Sequence, residues 1–429
     1  MSSLLPLIYS SDPLLTYPSV SSLLATAAYI HLPFCRQRCF YCDFPVTVVG
    51  QKPLTLSGWI GDYVTAICQE IQGYQPDYAP LQTIFFGGGT PSLLPIAGLT
   101  QILHTLRTQW GIGDNAEISM EIDPGTFNAD QLRGYQDLGI NRFSLGIQAF
   151  QDDLLAACGR HHRRQDIDLA LTAIAQVGIN NWSLDLISGL PTQTATHWQQ
   201  SLTQAIQAQP THLSCYDLVL EPQTVFDKRE QRGQLPLPPD HLSADFYRQA
   251  QRLLTQAGFD HYEISNYAKP GYYCQHNQIY WRNQPYYGFG LGATSYLNGR
   301  RFSRPRTRDT YYQWLKTWLN DGAPCPGETV SPTETLLESL MLGLRLSAGV
   351  TWDQLPAIPG QQRQQILAVI KPFIQKQWVT AWDDRPNKPT AQPADPEHSQ
   401  GFRLSDPEGF LYSNQILSTL FAALTDPEP

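Results

Sequence analysis

Residues 27–42 read AAYIHLPFCRQRCFYC, an apolar run followed by three closely spaced cysteines. The run at 27–32 is typical of a buried strand, and Cys35, Cys39 and Cys42 follow it at C-x3-C-x2-C spacing. Three thiolates at this spacing can reach three corners of one iron–sulfur cubane, which leaves one iron open to another ligand. Buried thiols or a zinc site are alternatives, but structural zinc normally takes four ligands and no fourth is evident nearby. The stretch therefore predicts an iron–sulfur loop directly after a strand.

From about residue 27 to residue 265, β-rich runs alternate with helical patterns. Such alternation indicates a parallel sheet with covering helices, either open or closed into a barrel. Six or seven units approach the eight-unit barrel without completing it, so we predict an α/β fold with a partial barrel. In such folds the chemistry lies at the carboxyl ends of the strands. The predicted strands are residues 27–32, 82–86, 116–122, 142–148, 181–187, 211–218 and 260–265.

For the rest of the chain, we predict smaller units beside this barrel. Residues 1–26 are expected to form a flexible extension, and residues 266–310, rich in Tyr, Asn and Gly, a connecting segment. Residues 311–429 predict a smaller, mainly helical domain, with a Pro-rich, charged and disordered insertion near 383–400. Its predicted elements are helices at 312–319, 333–346 and 360–376, a strand within 401–411 and a last helix at 413–424.

Composition excludes several functional classes. The 429 residues carry a net charge of −9 with no clustered Lys and Arg, which argues against nucleic-acid binding. There is no apolar run long enough to cross a bilayer, and no basic residue precedes Arg36 to start a secretion signal. Three of the eight cysteines lie within eight residues, unlike the even spacing of a disulfide framework. We therefore expect a cytoplasmic protein without a transmembrane segment.

A second motif, FGGGTP at residues 86–91, follows the second predicted strand. Consecutive glycines let backbone groups approach a ligand closely, although such runs are often only turns. Beside a three-cysteine loop, the run becomes a plausible binding site for an amino-acid moiety.

The two motifs together resemble the radical S-adenosylmethionine (SAM) superfamily. The resemblance rests on Tyr29-x-His31-x-Pro33-Phe34-Cys35-x3-Cys39-x2-Cys42 and on the glycine run, and extends to about Ser295. Within the superfamily, the chain is similar to the oxygen-independent coproporphyrinogen III oxidases (HemN) and the related heme chaperones (HemW). The resemblance implies a partial (β/α)6 radical-SAM barrel with a HemN-like C-terminal domain. It also implies a [4Fe-4S] cluster on Cys35, Cys39 and Cys42, whose open iron binds SAM. An electron donor such as flavodoxin or ferredoxin would reduce the cluster, which then splits SAM into methionine and a 5′-deoxyadenosyl radical.

The same resemblance implies individual SAM contacts at the strand ends. An amide and a carboxylate can bond the two ribose hydroxyls, and a guanidinium is well shaped for the methionine carboxylate. Taken singly, each residue could instead be a helix cap, a solvated turn or a surface ion pair. The implied contacts are Tyr29, Gly88, Gly89 and Thr90 near the methionine end, Glu121 beside SAM at the third strand, Gln148 and Asp185 at the ribose, Arg160 for the carboxylate and Tyr41 by the adenine.

The sequence also separates the two branches of the family. Phe44 stands where the oxidases have a fourth cysteine, and the basic N-terminal segment of the oxidases is missing. The segment HNQIYW at 276–281 matches the H-N-x-x-Y-W motif of the chaperones. The resemblance therefore implies a chaperone that binds heme and delivers it to acceptor hemoproteins.

Other readings remain open at this point. His276 is a candidate ligand of the heme iron, with a packed core histidine as the alternative. His161 and His162, beside Arg160, are further candidates that we expect to be polar lining. The alternative functions are a coproporphyrinogen III dehydrogenase and a zinc-stabilised scaffold without redox chemistry. Whether the protein is an enzyme that turns SAM over is not decided by the sequence.

Overall fold

The computed structural model describes residues 24–75, 79–356, 360–382 and 399–425. Most of the predicted N-terminal extension and of the predicted insertion lies outside these residues. The strands are β1 (Ala27–Leu32), β2 (Phe34–Cys35), β3 (Thr47–Val48), β4 (Leu81–Gly88), β5 (Ile112–Ile122), β6 (Arg142–Gln148), β7 (Trp182–Ser188), β8 (His212–Asp217), β9 (Asp260–His261), β10 (Asn266–Ala268), β11 (Tyr287–Phe289), β12 (Thr294–Leu297), β13 (Arg300–Ser303), β14 (Val350–Thr351), β15 (Val379–Trp382) and β16 (Gly401–Leu404). The helices are α1 (Trp59–Gly73), α2 (Ile96–Gln109), α3 (Ala129–Asp137), α4 (Asp152–Ala157), α5 (Arg164–Val177), α6 (Ala195–Gln207), α7 (Val225–Glu230), α8 (Asp240–Gln256), α9 (Gln275–Trp281), α10 (Arg308–Asn320), α11 (Pro332–Gly343), α12 (Gly360–Gln375), α13 (Glu408–Leu411) and α14 (Ser413–Thr425). No helix in these ranges has both the length and the hydropathy that a bilayer crossing requires.

One large sheet organises the first part of the chain. Its strand order is β11-β1-β4-β5-β6-β7-β8-β10-β9, and the strands from β1 to β8 in this order are parallel to their neighbours. The connecting segment adds β11, which pairs in parallel with β1. The α/β fold with a parallel sheet is therefore confirmed, and its carboxyl strand ends all open toward one side.

The prediction of a seventh strand at residues 260–265 is wrong. Only Asp260–His261 forms a strand there, and β10 beside it runs antiparallel to β8. The backbone beyond His261 pairs instead with the C-terminal region: Ile264 N–H donates to the Arg345 carbonyl, and Ser347 N–H donates to the Tyr262 carbonyl. A tertiary contact thus takes the hydrogen bonds that a seventh parallel strand would need.

Helices cover the sheet with the apolar stripes that their sequences show. The α1 stripe of Ile60, Val64, Ile67 and Ile71 is buried, and α1 packs against α2. Capping defines where a helix begins: Asn128 forms a reciprocal capping box with Gln131 at the start of α3. These helices hold the strand ends in register beneath the site.

The C-terminal part has its own hydrophobic core. Helices α11, α12 and α14 pack around Leu340, Ile370, Ile416 and Leu420, all fully buried. A small antiparallel sheet of order β14-β16-β15 completes this unit. Only β16 was expected from sequence, since β14 and β15 are short and depend on pairing with it. The predicted strand there ends at Leu404, and the chain turns into α13.

A fully buried ion pair ties the barrel to the segment that follows it. Arg304 Nε donates to Glu70 Oε1 at 2.7 Å, and neither side chain is exposed. Arg304 also donates to Ser295 Oγ at 2.6 Å and to the Tyr74 hydroxyl at 2.8 Å. The second oxygen of Glu70 accepts from the Tyr311 hydroxyl at 2.7 Å. These bonds join α1 to β12 and α10.

Removing one charge from this pair should destabilise the fold strongly. We expect Glu70→Ala to lower the free energy of unfolding by about 3–5 kcal/mol, because Arg304 is left buried and uncompensated. The matched control is Arg133→Ala, which breaks an exposed pair with Asp130 and should cost less than about 1 kcal/mol. Urea unfolding followed by circular dichroism measures both. Equal midpoints for the two variants would contradict the assigned role of the pair.

Candidate functional site

A cavity of about 840 Å³ opens at the carboxyl ends of the parallel strands. This volume lies within the range of roughly 300–1,000 Å³ that small-molecule sites occupy. The structure brings every residue singled out from the sequence to the wall of this one cavity. These residues are Tyr29, Cys35, Cys39, Tyr41, Cys42, Gly88, Gly89, Thr90, Glu121, Gln148, Arg160, Asp185 and His276.

The cysteine loop is held in place by the turn that precedes α5. Phe40 N–H donates to the Cys158 carbonyl at 2.9 Å, and Gln37 Nε2 donates to the Gly159 carbonyl at 3.0 Å. Gly159 has a φ of 70°, and a Cβ there would lie 2.8 Å from the Phe40 ring. Only glycine therefore lets this turn and the cysteine loop approach so closely.

The three cysteines of the loop are free, half-buried thiols that face the cavity. Burial, together with nearby Asp123, raises the pKa of Cys35 to about 12, and burial raises that of Cys42 to about 11. Donors point at two of the sulfurs: Arg160 Nη1 lies 3.4 Å from Cys39 Sγ and Thr90 Oγ1 lies 3.9 Å from Cys35 Sγ. Within the described ranges, no group of three His, Cys, Asp or Glu side chains is arranged to hold a single metal ion. Three thiols in one loop with donors to their sulfurs fit an iron–sulfur cluster, which cysteine thiolates hold.

Arg160 and Arg142 are buried cations on the cavity wall, and Arg160 is the one that contacts the cysteine loop. Its Nη2 donates to Asp123 Oδ1 at 2.5 Å and to the Gly146 carbonyl at 2.9 Å. Its Nε is buried and has no hydrogen-bond partner among the described residues. The guanidinium lines the cavity, and its planar shape suits a ligand carboxylate.

Asp123 was missed by the sequence analysis. Its second oxygen accepts from the Thr90 hydroxyl at 3.0 Å, so it bridges the glycine run and Arg160. It lies in the same EIDPG stretch as Glu121, and that motif was the available signal. Asp123 orients the two groups on either side of it.

The glycine run is shaped by contacts with the chain itself. The N–H groups of Gly88, Gly89 and Thr90 donate to Glu121, the Leu32 carbonyl and the Phe34 carbonyl. A Cβ at Gly88 would lie 2.5 Å from the His31 ring, and one at Gly89 would lie 2.7 Å from the Phe34 carbonyl oxygen. The glycines are therefore required first by the close approach of β4 to the segment before the cysteine loop.

Tyr29 is oriented by His31, a second residue that the sequence analysis did not assign to the site. The Tyr29 hydroxyl lies 3.1 Å from His31 Nδ1, and His31 Nε2 lies 3.0 Å from the Pro45 carbonyl. Because a carbonyl only accepts, we place the proton on Nε2, which leaves Nδ1 to accept from Tyr29. Burial lowers the pKa of His31 to about 4, so the ring is neutral.

Two carboxyl groups, Glu121 of β5 and Asp185 of β7, face the cavity from either side of β6. Burial, with Asp185 nearby, raises the pKa of Glu121 to about 8. Burial also raises the pKa of Asp185, although the hydroxyls of Ser144 and Ser183 donate to it. These serines are further positioning residues that the sequence did not identify.

Gln148 ends β6 in a strained conformation. Its φ is 71°, in the left-handed region, and the register between β6 and β7 shifts between Gly146 and Gln148. Such an irregularity re-aims a side chain at the end of a strand. It brings Gln148 to the cavity wall next to Asp185.

His276 lies at the floor of the cavity and is fully buried. Its Nδ1 is 2.8 Å from the Thr83 hydroxyl, and its Nε2 is 2.7 Å from the Tyr280 hydroxyl. Glu117 accepts from the His276 N–H and so fixes the start of α9. Burial lowers the pKa of His276 to about 3, and the ring stacks on Phe85. This geometry is that of a packed core histidine.

Phe44 lies at the cavity mouth and is 60% exposed. The position at which the oxidases have a cysteine therefore presents an apolar ring at the opening.

The comparisons with known proteins agree with this site. The Radical SAM superfamily model matches residues 29–205, and the HemN C-terminal domain model matches residues 330–385. The heme chaperone HemW of Synechocystis sp. is 64% identical over 409 residues, which cover 94% of this chain and 98% of that protein. HemW of Bacillus subtilis is 36% identical over 332 residues, 76% of this chain and 84% of that protein.

A solved structure confirms the fold. The coproporphyrinogen III oxidase HemN of Escherichia coli superposes with a TM-score of 0.74 at 21% identity, over 95% of this chain and 91% of that one. Identity at this level shows a shared fold and nothing further, whereas the extent of the HemW matches shows the family. The chain belongs to the HemW family within the radical SAM superfamily.

Proposed function

We propose that this protein is a heme chaperone that binds a [4Fe-4S] cluster and SAM, holds heme and transfers it to acceptor hemoproteins. The observation that carries the proposal is the 64% identity to the heme chaperone HemW of Synechocystis over nearly the full length of both chains. Phe44 supports the chaperone over a coproporphyrinogen III dehydrogenase, since the oxidase cysteine is absent.

Cys35, Cys39 and Cys42 would hold the cluster, and the cavity behind them would hold SAM. Together these groups supply reductive cleavage of a carbon–sulfur bond when both are bound and an electron is delivered. The Arg160 guanidinium on the cavity wall would pair with the methionine carboxylate, while Asp123 keeps it oriented. It also donates to Cys39 Sγ, and hydrogen bonds to cluster sulfurs tune the reduction potential.

The remaining side chains would bind SAM along the cavity wall. Because the N–H groups of Gly88 and Gly89 are already bonded, their carbonyl oxygens are the backbone groups that would accept from the SAM ammonium. Gln148 and Asp185 lie at adjacent strand ends and can bond the two ribose hydroxyls. Tyr29 would contact the methionine end, and Tyr41 would pack beside the adenine.

The electron donor and the compartment belong to the same proposal. A flavodoxin or a ferredoxin would reduce the cluster in the cytoplasm. All eight cysteines are unpaired, which suits a reducing compartment.

Direct transfer assays test the function. Cluster-loaded protein is supplied with SAM and heme, and heme is then chased into an apo-cytochrome whose spectrum reports its arrival. A parallel reaction contains coproporphyrinogen III and a reductant. The proposal expects heme transfer and no protoporphyrinogen. Protoporphyrinogen formed over many turnovers would identify a dehydrogenase, and zinc in place of iron would identify a scaffold.

The cluster assignment gives a first prediction. Replacing Cys35, Cys39 or Cys42 singly by Ala should abolish the iron–sulfur charge-transfer absorption, because one thiolate ligand is lost. Iron and sulfide analysis of anaerobically reconstituted protein checks this. Cys68→Ala is the matched control, since Cys68 is buried in α1 away from the cavity and should leave iron content unchanged. Full iron in all three single variants would exclude the assignment.

The raised pKa of Glu121 gives a second prediction. With a pKa of about 8, its carboxyl holds a proton near pH 7, and the positive charge of SAM beside it would lower that pKa. SAM binding near neutral pH should therefore release about one proton, and the affinity should rise with pH until the free carboxyl is ionised. Calorimetry in two buffers of different ionisation enthalpy counts the proton.

The proton release should vanish in Glu121→Gln. Glu221→Gln is the control, because Glu221 also lines the cavity but is exposed. If Glu121→Gln releases the same number of protons as the unmodified protein, the released proton does not come from Glu121.

A further inference from the structure

The histidines of the cavity differ in what their ring nitrogens contact. Five of them line it: His31, His161, His162, His212 and His276. As described above, both ring nitrogens of His31 and of His276 are hydrogen-bonded. His162 lies between the Arg160 guanidinium and the Ile147 carbonyl. His212 lies between the hydroxyls of Ser183 and Tyr262. Four of the five histidine rings are therefore hydrogen-bonded to other groups of the protein.

His161 is different. Its side chain is exposed at the cavity wall, and neither ring nitrogen has a hydrogen-bond or ion-pair partner among the described residues. Its backbone is nevertheless well placed, because Arg160 before it bonds Cys39 and His162 after it is buried. An imidazole with a free lone pair on an anchored turn is a ready ligand for a metal.

The mouth of the cavity has the surroundings that a porphyrin needs. Phe44, Tyr216 and Val219 are among the large apolar side chains that remain exposed, and all three line this cavity. Arg36 and Arg38 line it as well and donate to backbone carbonyls of Gly125, Cys42 and Phe44. Neither arginine has a carboxylate partner in the described part of the chain. Apolar side chains suit the porphyrin plane, and guanidinium groups suit its two propionates.

His276 is less suited than His161 to bind the heme iron. To bind iron it would have to give up its contact with Thr83 or with Tyr280, and the hydroxyl left behind would be buried without a partner. It also lies at the cavity floor, where the ring is stacked on Phe85.

We propose that His161 is the axial ligand of the heme iron, with the porphyrin lying at the cavity mouth against Phe44, Tyr216 and Val219 and its propionates toward Arg36 and Arg38. A neutral ring nitrogen donates its lone pair to the iron and displaces a water molecule, and the iron keeps its oxidation state. The inference rests on the proposed heme-chaperone function and names the ligand that this function uses. Because this ligand is exposed at the cavity opening, a side chain of an acceptor protein can replace it on the heme iron without unfolding of the barrel.

Heme titration of the full-length, cluster-loaded protein tests the inference. Resonance Raman spectra of the ferrous heme complex report the iron–histidine bond separately from cluster absorption. The variants are His161→Ala, His276→Gln and His104→Ala, the last an exposed histidine of α2 outside the cavity. We expect His161→Ala to lose the iron–histidine band and to bind heme about tenfold or more weakly, and added imidazole to restore the band. His104→Ala should match the unmodified protein, and His276→Gln should keep the band.

The outcomes distinguish a failure of the ligand assignment from a failure of the proposed function. An unchanged band in His161→Ala, with loss in His276→Gln, would falsify the ligand assignment and leave the chaperone function standing. If the unmodified protein binds no heme at all, the proposed function fails together with the inference. Iron content and SAM affinity measured on the same samples show that the variants are folded.

Discussion

The Arg160 guanidinium is the point on which the site depends. It touches a sulfur of the cysteine loop, the carboxylate of Asp123 after β5 and the carbonyl of Gly146 in β6. Three segments distant in sequence are therefore held around one buried positive charge. The ion pair with Asp123 offsets the cost of burying that charge, and the guanidinium lines the cavity, where an anionic ligand would meet it. This contact acts together with the hydrogen bonds that join the cysteine loop to the turn before α5.

Burial sets the charge state of the surrounding groups. His31, His162 and His276 have lowered pKa values, so they are neutral hydrogen-bonding groups at physiological pH. Glu121 has a raised pKa and carries a proton until a cation arrives. Arg160 and Arg142 are then buried permanent positive charges on the cavity wall, in a protein whose net charge is negative. A zwitterionic and cationic ligand such as SAM would suit this arrangement, with its carboxylate toward Arg160 and its positive groups toward Glu121.

The match to HemN shows that one fold is kept at low sequence identity. The two folds superpose over nearly the whole chain, although only about a fifth of the residues are identical. The parallel strands and their covering helices tolerate this divergence because a core needs apolar residues of suitable volume rather than particular ones. At the mouth of the cavity, the exposed Phe44 presents an apolar side chain.

The sequence by itself determined the architecture and the residues that meet at the cavity. The strands at residues 27–32 and 142–148 were predicted with their observed bounds, since such signals are local. The three cysteines and the strand-end residues were identified by motif, because the carboxyl ends of parallel strands meet on one side of a sheet. Only the tertiary structure decided that residues 262–264 pair with the C-terminal region instead of extending the sheet, since that pairing joins segments about 80 positions apart. Only the tertiary structure placed Asp123 between Thr90 and Arg160, and only it distinguished His276 from His161, because burial and hydrogen-bond partners are properties of the packed chain.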